Sequence, residues 1–190
     1  MTTKTTQKLK VFLCHSSNDK STVRDFYTLL KAEGWIDPWL DEEKLLPGQD
    51  WDLEIEKAVE ETDTVLVFLS DNSVSKEGYI QRELRFILNM ADYKPEGTNF
   101  ILPMRLNECP LPRRLRSWHY VDNFPKERKE WAYGRLLESL KLRAKTLGID
   151  TATILKENAE RQKEELTEKK RKEQAKKETP DAVEKAESEH

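Results

Sequence analysis

Two hydrophobic periods take turns along most of this chain. Lys10–Cys14 (KVFLC) is a short apolar run of the kind that forms a buried strand. Over Ser21–Glu33 the apolar residues Val23, Phe26, Tyr27 and Leu30 recur at helical spacing, and Gly34 stands where a C-terminal cap belongs. Ile36–Leu40 predicts a second, weaker strand, and Pro38 within it points to a sheet edge because proline cannot donate to a ladder. Asp41–Asp50 reads as a long polar loop with a turn at Pro47-Gly48. Helical spacing returns over Trp51–Thr62 through Trp51, Ile55, Ala58 and Val59. Thr64–Leu69 (TVLVFL) is almost continuously apolar and β-branched, as expected of a central parallel strand covered on both faces. A helix over Tyr79–Ala91, strands over Phe100–Leu106 and Trp118–Val121, and a closing helix over Trp131–Leu147 complete the series. In that last helix Tyr133, Leu137, Leu140, Ala144 and Leu147 are expected on one face. Alternating strands and helices predict an α/β domain with a parallel sheet between two helical layers.

The pattern stops near Gly148. All of the 5 Trp, 5 Tyr and 6 Phe residues precede it. From Thr151 to His190, 21 of 40 residues are charged, 10 basic and 11 acidic, too few apolar positions to offset the entropy of ordering a core. Short blocks of alternating charge between Lys156 and Lys177 support a solvated helix through i,i+4 pairs, with a disordered end after Pro180. A self-association helix is the competing reading, but Ile154, Leu155 and Leu166 are too sparse for a heptad seam. The expected organisation is a disordered start over residues 1–7, a folded domain over 8–148 and a charged tail over 149–190.

Composition narrows the function classes. The formal net charge of the 190 residues is −3, which gives no electrostatic reason to expect nucleic acid or a membrane surface as a partner. Two cysteines, Cys14 and Cys109, make no disulfide framework and fit a reducing, cytoplasmic compartment. Residues 1–6 do not resemble a signal peptide, and the longest apolar run, Val65–Leu69, is too short to span a bilayer. Neither a G-x-G-x-x-G nor a P-loop is present. His15, His119 and the cysteines lack metal-ligand spacing, so no metal site is expected. Cys14-His15-Ser16 stands where a receiver domain would carry an acidic pair.

Ligands of open α/β sheets bind beyond the carboxyl ends of the strands. Three polar segments meet there: His15–Asp19, Asp41–Asp50 and Ser70–Gly78. Glu83 adds a sharper signal. In the helix Tyr79–Ala91 the apolar stripe is Ile80, Leu84, Ile87, Leu88 and Ala91, and Glu83 lies on or beside it. A carboxylate there is costly unless paired or needed. The alternatives are an ion pair with Arg82, Arg85 or Arg105, and a functional carboxylate facing the cleft.

Val11–Asp19 (VFLCHSSND) resembles the first box of Toll/interleukin-1 receptor (TIR) domains, especially the stand-alone bacterial-type branch. Trp39-Leu40-Asp41 and Leu46-Pro47-Gly48 are similar to the second strand and BB loop of that family. Val65–Ser70, Asn72-Ser73-Val74 and Gln81-Arg82-Glu83 resemble its third strand and the helix that follows, while Pro103 and Leu111-Pro112…Trp118 fit the late part. The resemblance covers roughly Lys8 to Gly148. It implies a flavodoxin-like three-layer fold with strand order 2-1-3-4-5, TIR–TIR association or self-assembly through Leu46, Pro47 and Gly48, and a place in signalling or antiviral defence. Many members cleave NAD+ at the nicotinamide–ribose bond, releasing nicotinamide and ADP-ribose or a cyclic isomer. On that basis NAD+ is a substrate rather than a cofactor, the enzyme class is an NAD+ nucleosidase, and Glu83 matches the catalytic glutamate. His15, Ser16 and Asn18 would line the ribose and phosphate side, Trp39 and the Leu45–Gly48 loop the nicotinamide side, with Ser70, Ser73 and Tyr79 as further substrate-binding positions. Where the family often has Trp four residues before the glutamate, this chain has Tyr79, which still stacks on a pyridinium ring and bears on hydrolysis versus cyclisation. The other function the resemblance implies is a non-catalytic TIR–TIR interaction module.

Overall fold

The computed structural model describes residues 7–75, 79–95 and 97–177, and of residues 75, 79–83 and 175–177 the backbone alone. Of the ends expected to be disordered, residues 1–6 and those after Pro180 lie outside the described residues. Five parallel strands form one sheet in the order β2-β1-β3-β4-β5: β1 (Leu9–Cys14), β2 (Ile36–Trp39), β3 (Thr64–Leu69), β4 (Ile101–Arg105) and β5 (Val121–Asp122). The helices are α1 (Lys20–Ala32), α2 (Asp41–Lys44), α3 (Trp51–Glu60), α4 (Asp71–Ser75), α5 (Tyr79–Asp92), α6 (Lys129–Thr146) and α7 (Thr151–Lys177). This is the flavodoxin-like topology expected. The order follows from chain direction. After β1 the chain crosses to one side for β2, then returns past β1 to place β3 on the other, and each later strand adds outward.

All six residues of β3 are buried. Val65, Val67 and Leu69 face a core shared with Ile55 and Val59 of α3 and Leu84, Ile87 and Leu88 of α5. Phe68, on the other face, packs its ring 5.0 Å from Phe26 of α1, and Tyr133 of α6 lies 6.3 Å beyond. α1 buries the predicted Val23, Phe26, Tyr27 and Leu30. Gly34 follows with φ 76°, its N–H bonded to the Lys31 carbonyl, a left-handed conformation that glycine adopts without a Cβ penalty. The proline-bearing β2 is an edge strand, as Pro38 indicated.

Several boundaries differ from those the sequence pattern predicts. The segments expected as plain loops after β2 and β3 each open with a short helix, α2 and α4. Trp51 is 43% exposed and so not part of the core stripe of α3. β5 begins at Val121, because Trp118 closes a turn by bonding the Leu115 carbonyl. On α6 the buried residues are Ala132, Leu136, Leu140, Arg143 and Ala144, a face rotated from the one predicted. Arg143 is turned inward by a 2.9 Å bond from Nε to the Asp63 carbonyl, and Leu147 lies past the last turn, 41% exposed.

The two-residue strand β5, paired with β4 through the backbone, is also held by side chains. Arg105 donates through Nε to Asp122 Oδ1 (2.6 Å) and through Nη2 to Oδ2 (2.9 Å), while Nη1 bonds the Cys109 carbonyl at 2.9 Å. Its guanidinium also lies over Tyr120 and Phe124. The Asp122 hydrogen bond pushes the Arg105 pKa above its usual value against an opposing desolvation cost.

The chain divides into two units between Thr151 and Ala152. The second contains nearly all of α7, with an i,i+4 pair of Lys172 and Glu168 at 2.6 Å. Among the described residues no helix is long and apolar enough to cross a membrane.

Asp122→Asn is expected to lower the urea unfolding free energy by about 2 kcal/mol at unchanged m-value, because it dismantles a bidentate, charge-assisted pair. A loss within error would show that β5 does not depend on this clasp.

Candidate functional site

The carboxyl ends of β1, β2 and β3 deliver His15, Asp41 and Ser70 to one edge of the sheet. Between the ends of β1 and β2 a cleft opens, about 400 Å³ including solvent at its mouth, lined by His15, Ser17, Lys20, Trp39, Asp41, Trp51 and apolar floor residues. Trp39 is held by stacking on Phe12, with centroids 4.9 Å apart and planes 15° from parallel. Lys20 opens α1 and reaches Glu42 at 4.0 Å, while Arg24 binds the same carboxylate at 2.8 Å. The two contacts tie α2 to α1 beside the cleft.

His15 is 7% exposed, and its Nδ1 lies 3.2 Å from the Leu13 carbonyl. A carbonyl only accepts, so Nδ1 carries the proton in that bond. Nε2 lies 3.9 Å from Asp41 Oδ1, too far for a hydrogen bond. Asp41 is also 7% exposed, and Oδ1 has no hydrogen-bond partner among the described residues.

The switch point between β1 and β3 is closed by a clasp. Ser70 Oγ donates to Asp19 Oδ2 at 2.7 Å, with both residues buried. Ser70 N–H donates to Ser73 Oγ (2.7 Å) and Ser73 N–H to Ser70 Oγ (3.1 Å), a reciprocal cap on α4. The hydroxyls of Ser70 and Ser73 are thus engaged within the fold and lie outside the cleft lining. On the next strand's loop, Asn107 Oδ1 accepts from Asp71 N–H at 3.0 Å.

Of the positions expected to bind substrate, the structure brings His15 and Trp39 into the cleft. Ser16 is half-buried and caps the turn over Ser17–Asp19 by accepting from Asn18 N–H, and Asn18 is exposed. Leu45 is half-buried at the end of α2. Leu46, Pro47 and Gly48 are exposed, Leu46 at 69%, and Gly48 has φ 93° with open space where a Cβ would project. Tyr79 and Glu83 lie in the first turns of α5, and their side chains fall outside the described residues. Glu83 occupies the position before Leu84 and four before Ile87, both of which are buried in the core against α3.

Asp41, Lys20 and Trp51 are cleft residues that the sequence pattern does not single out. Asp41 follows directly on Trp39-Leu40, in a segment the sequence marks as a polar strand-end loop without assigning this residue a role. Lys20 and Trp51 each begin a helix, where a polar or aromatic residue carries no signal of its own. Neither cysteine is placed as a nucleophile: Cys14 and Cys109 are buried, and burial pushes the Cys109 thiol pKa up. Among the described residues no group of three or more His, Cys, Asp or Glu is placed to hold a metal ion.

This fold and this edge belong to a recognised class. Residues 11–137 match the TIR domain family, and the chain belongs to it. Among solved structures, the TIR domain of the Toll-related receptor TRR-2 from Hydra magnipapillata is similar, at 18% identity and TM-score 0.57, over 69% of this chain and 97% of that one. A prokaryotic SEFIR domain is similar at 20% identity and TM-score 0.55, over 70% of this chain and 99% of that one. At these identities the likeness concerns the fold. No curated protein matches the chain.

A double-mutant cycle on Ser70→Ala and Asp19→Ala is expected to give a coupling energy of about 1–3 kcal/mol, since either single change strands a buried polar group. Additive effects would show that the clasp is not formed.

Proposed function

We propose that this TIR domain cleaves the nicotinamide–ribose bond of NAD+, releasing nicotinamide and ADP-ribose or its cyclic isomer, with Glu83 as the catalytic carboxylate. The observation that carries the reading is the composition of the cleft at the strand ends. Two indoles, an imidazole, a buried carboxylate and a lysine ammonium line it, a set matched to a cationic aromatic ring, ribose hydroxyls and a pyrophosphate. Glu83 belongs to the same reading through its place in α5, the helix that shares a core with Ile55 and Val59 of α3.

The chemistry asks little of the protein in acid–base terms. O-glycosidases need a general acid because an alkoxide leaves. Nicotinamide leaves neutral from a pyridinium, so the C–N bond breaks with its electron pair going to the ring nitrogen. Positive charge then develops on the ribose. One carboxylate near that carbon stabilises the oxocarbenium-like state, and water, or a nucleophilic atom of the ADP-ribosyl group itself, bonds to the carbon, with any proton it releases passing to solvent. Tyr79, four residues before Glu83, is the aromatic position of the motif.

A second reading, TIR–TIR association, is favoured by a separate observation. Leu46 is 69% exposed beside Pro47 and Gly48. At the β4–β5 edge of the sheet a pocket of mixed character is lined by Leu102, Pro103, Tyr120, Val121, Trp131 and Leu136 together with His119, Arg135 and Ser139. An exposed leucine on a projecting loop and a partly apolar pocket at the other sheet edge suit head-to-tail assembly. The two readings are compatible, as a catalytic cleft beside an assembly loop is completed or ordered by a neighbour.

The purified 190-residue chain at high concentration is expected to release nicotinamide from NAD+, with Glu83→Ala slower by roughly 10²-fold or more. Absence of release, or equal release from Glu83→Ala, overturns the catalytic reading. Leu46→Glu is expected to shift sedimentation toward monomer without lowering the melting temperature. An unchanged size distribution overturns the assembly reading, and Leu46 is the cleaner probe because any side chain at Gly48 meets a strained φ.

A further inference from the structure

The formal net charge of −3 conceals an uneven distribution. Residues 41–61 hold nine acidic side chains and two lysines, whereas residues 111–121 hold three arginines and no acid. Most of the acids around α3 have a local task. Asp50 caps the helix by accepting from Leu53 N–H at 3.1 Å, and Asp52 and Glu54 stand in the first turn, where the helix dipole favours negative charge. Glu54 also pairs with Lys57, and Glu61 with Lys10. Glu56 and Glu60 are different. Both are exposed, and neither side chain has an ion pair or hydrogen bond among the described residues. They lie four residues apart on one helix face, where like charges repel. Glu60 also stands in the last turn, the end at which the dipole disfavours an acid. Leu53, 48% exposed, continues the same face toward the start of α3.

The arginines show the same arrangement with the opposite sign. Leu115 is fully buried and anchors the single 3₁₀ turn Arg113–Leu115. Arg113 and Arg116 flank it and are exposed. Three residues complete a 3₁₀ turn, so these two side chains leave from one side of it. Arg113 has no side-chain partner among the described residues, and Arg116 reaches only the Leu111 carbonyl, at 3.4 Å. Arg114, between them in sequence, lies 3.9 Å from Asp92, and the next residue, Tyr93, is 85% exposed.

The two charge pairs match in spacing. Four residues of α-helix rise about 6 Å, and three residues of 3₁₀ helix also rise about 6 Å. Two carboxylates and two guanidiniums at one interval form parallel, charge-assisted pairs without rearrangement. Each pair repels itself when alone, and a local conflict of this kind points to compensation elsewhere. Among the described residues no ion pair joins the two faces within one chain.

We infer that the α3 face of one copy, Glu56 and Glu60 with Leu53, docks on the Arg113–Arg116 turn and Tyr93 of a second copy. The two surfaces differ, so the contact is head-to-tail and leaves one of each free for the next copy. It uses neither Leu46 nor the β4–β5 pocket, and it does not depend on the NAD+ reading.

Sedimentation velocity of the 190-residue chain at low ionic strength tests the contact. Glu56→Gln/Glu60→Gln is expected to weaken self-association roughly 10-fold or more while melting no lower than wild type, because a repelling pair has been removed. Raising the ionic strength from about 0.05 M to about 0.5 M weakens wild type by a similar factor. The charge reversals Glu56→Arg/Glu60→Arg and Arg113→Glu/Arg116→Glu each stay monomeric at concentrations where wild type associates. Their equimolar mixture recovers the wild-type size distribution, because every contact between the two variants joins opposite charges. A wild type that stays monomeric at low ionic strength overturns the inference, as does a glutamine variant that associates like wild type. A lower melting temperature of the glutamine variant marks Glu56 and Glu60 as structural and also overturns it. Disruption by the arginine reversal without recovery in the mixture assigns the turn to some other acidic partner and overturns the self-contact.

Discussion

Burial of β3 on both faces is the constraint on which the other features depend. Its six residues are inaccessible from either side, so two helical layers must cover the sheet, and a parallel sheet needs crossovers to provide them. Once α1 and α6 occupy one face and α3 and α5 the other, polar groups have few places to go. The carboxyl ends of the strands are the main ones. There the chain leaves the apolar interior abruptly, at Cys14-His15, Leu40-Asp41 and Leu69-Ser70, and it is there that the buried polar side chains His15, Asp19, Asp41, Ser70 and Ser73 collect.

Those buried polar groups fall into two kinds. Asp19, Ser70 and Ser73 satisfy one another and lock the first and third strand loops together. This gives α4 a fixed origin. His15 Nε2 and Asp41 Oδ1 stand 3.9 Å apart, and Asp41 Oδ1 has no hydrogen-bond partner among the described residues. The contrast lies in completeness rather than in residue type. A closed hydrogen-bond set rigidifies a fold, whereas the buried His15–Asp41 pair has no such closure among the described residues.

The parallel sheet, the edge position of β2 and the central position of β3 were legible in the chain because each rests on a local signal: the alternation of periods, Pro38, the unbroken Thr64–Leu69 run; the strand order came from the resemblance of its motifs to TIR domains. The capping of α1 at Gly34 was equally local. The face of α6 was not, because Arg143 buries itself to reach a carbonyl at Asp63, 80 residues away in sequence. Ser70 and Ser73 looked like site residues for the same reason that they make good helix caps: a short hydroxyl side chain at a strand end suits either role. The Arg105–Asp122 clasp was likewise unreadable, since nothing near either residue announces the other.

The sequence by itself determined the architecture of this TIR domain, its charged extension beyond Gly148, and the three strand ends at which polar chemistry collects, because hydrophobic period and turn chemistry act over a few residues at a time. Only the tertiary structure decided which of the polar residues satisfy each other and which stay open. That depends on distances between segments far apart in the chain: Asp19 with Ser70 across the switch point, His15 with Asp41 across the first two strands. Composition cannot set those distances, and packing of the sheet and its helices does.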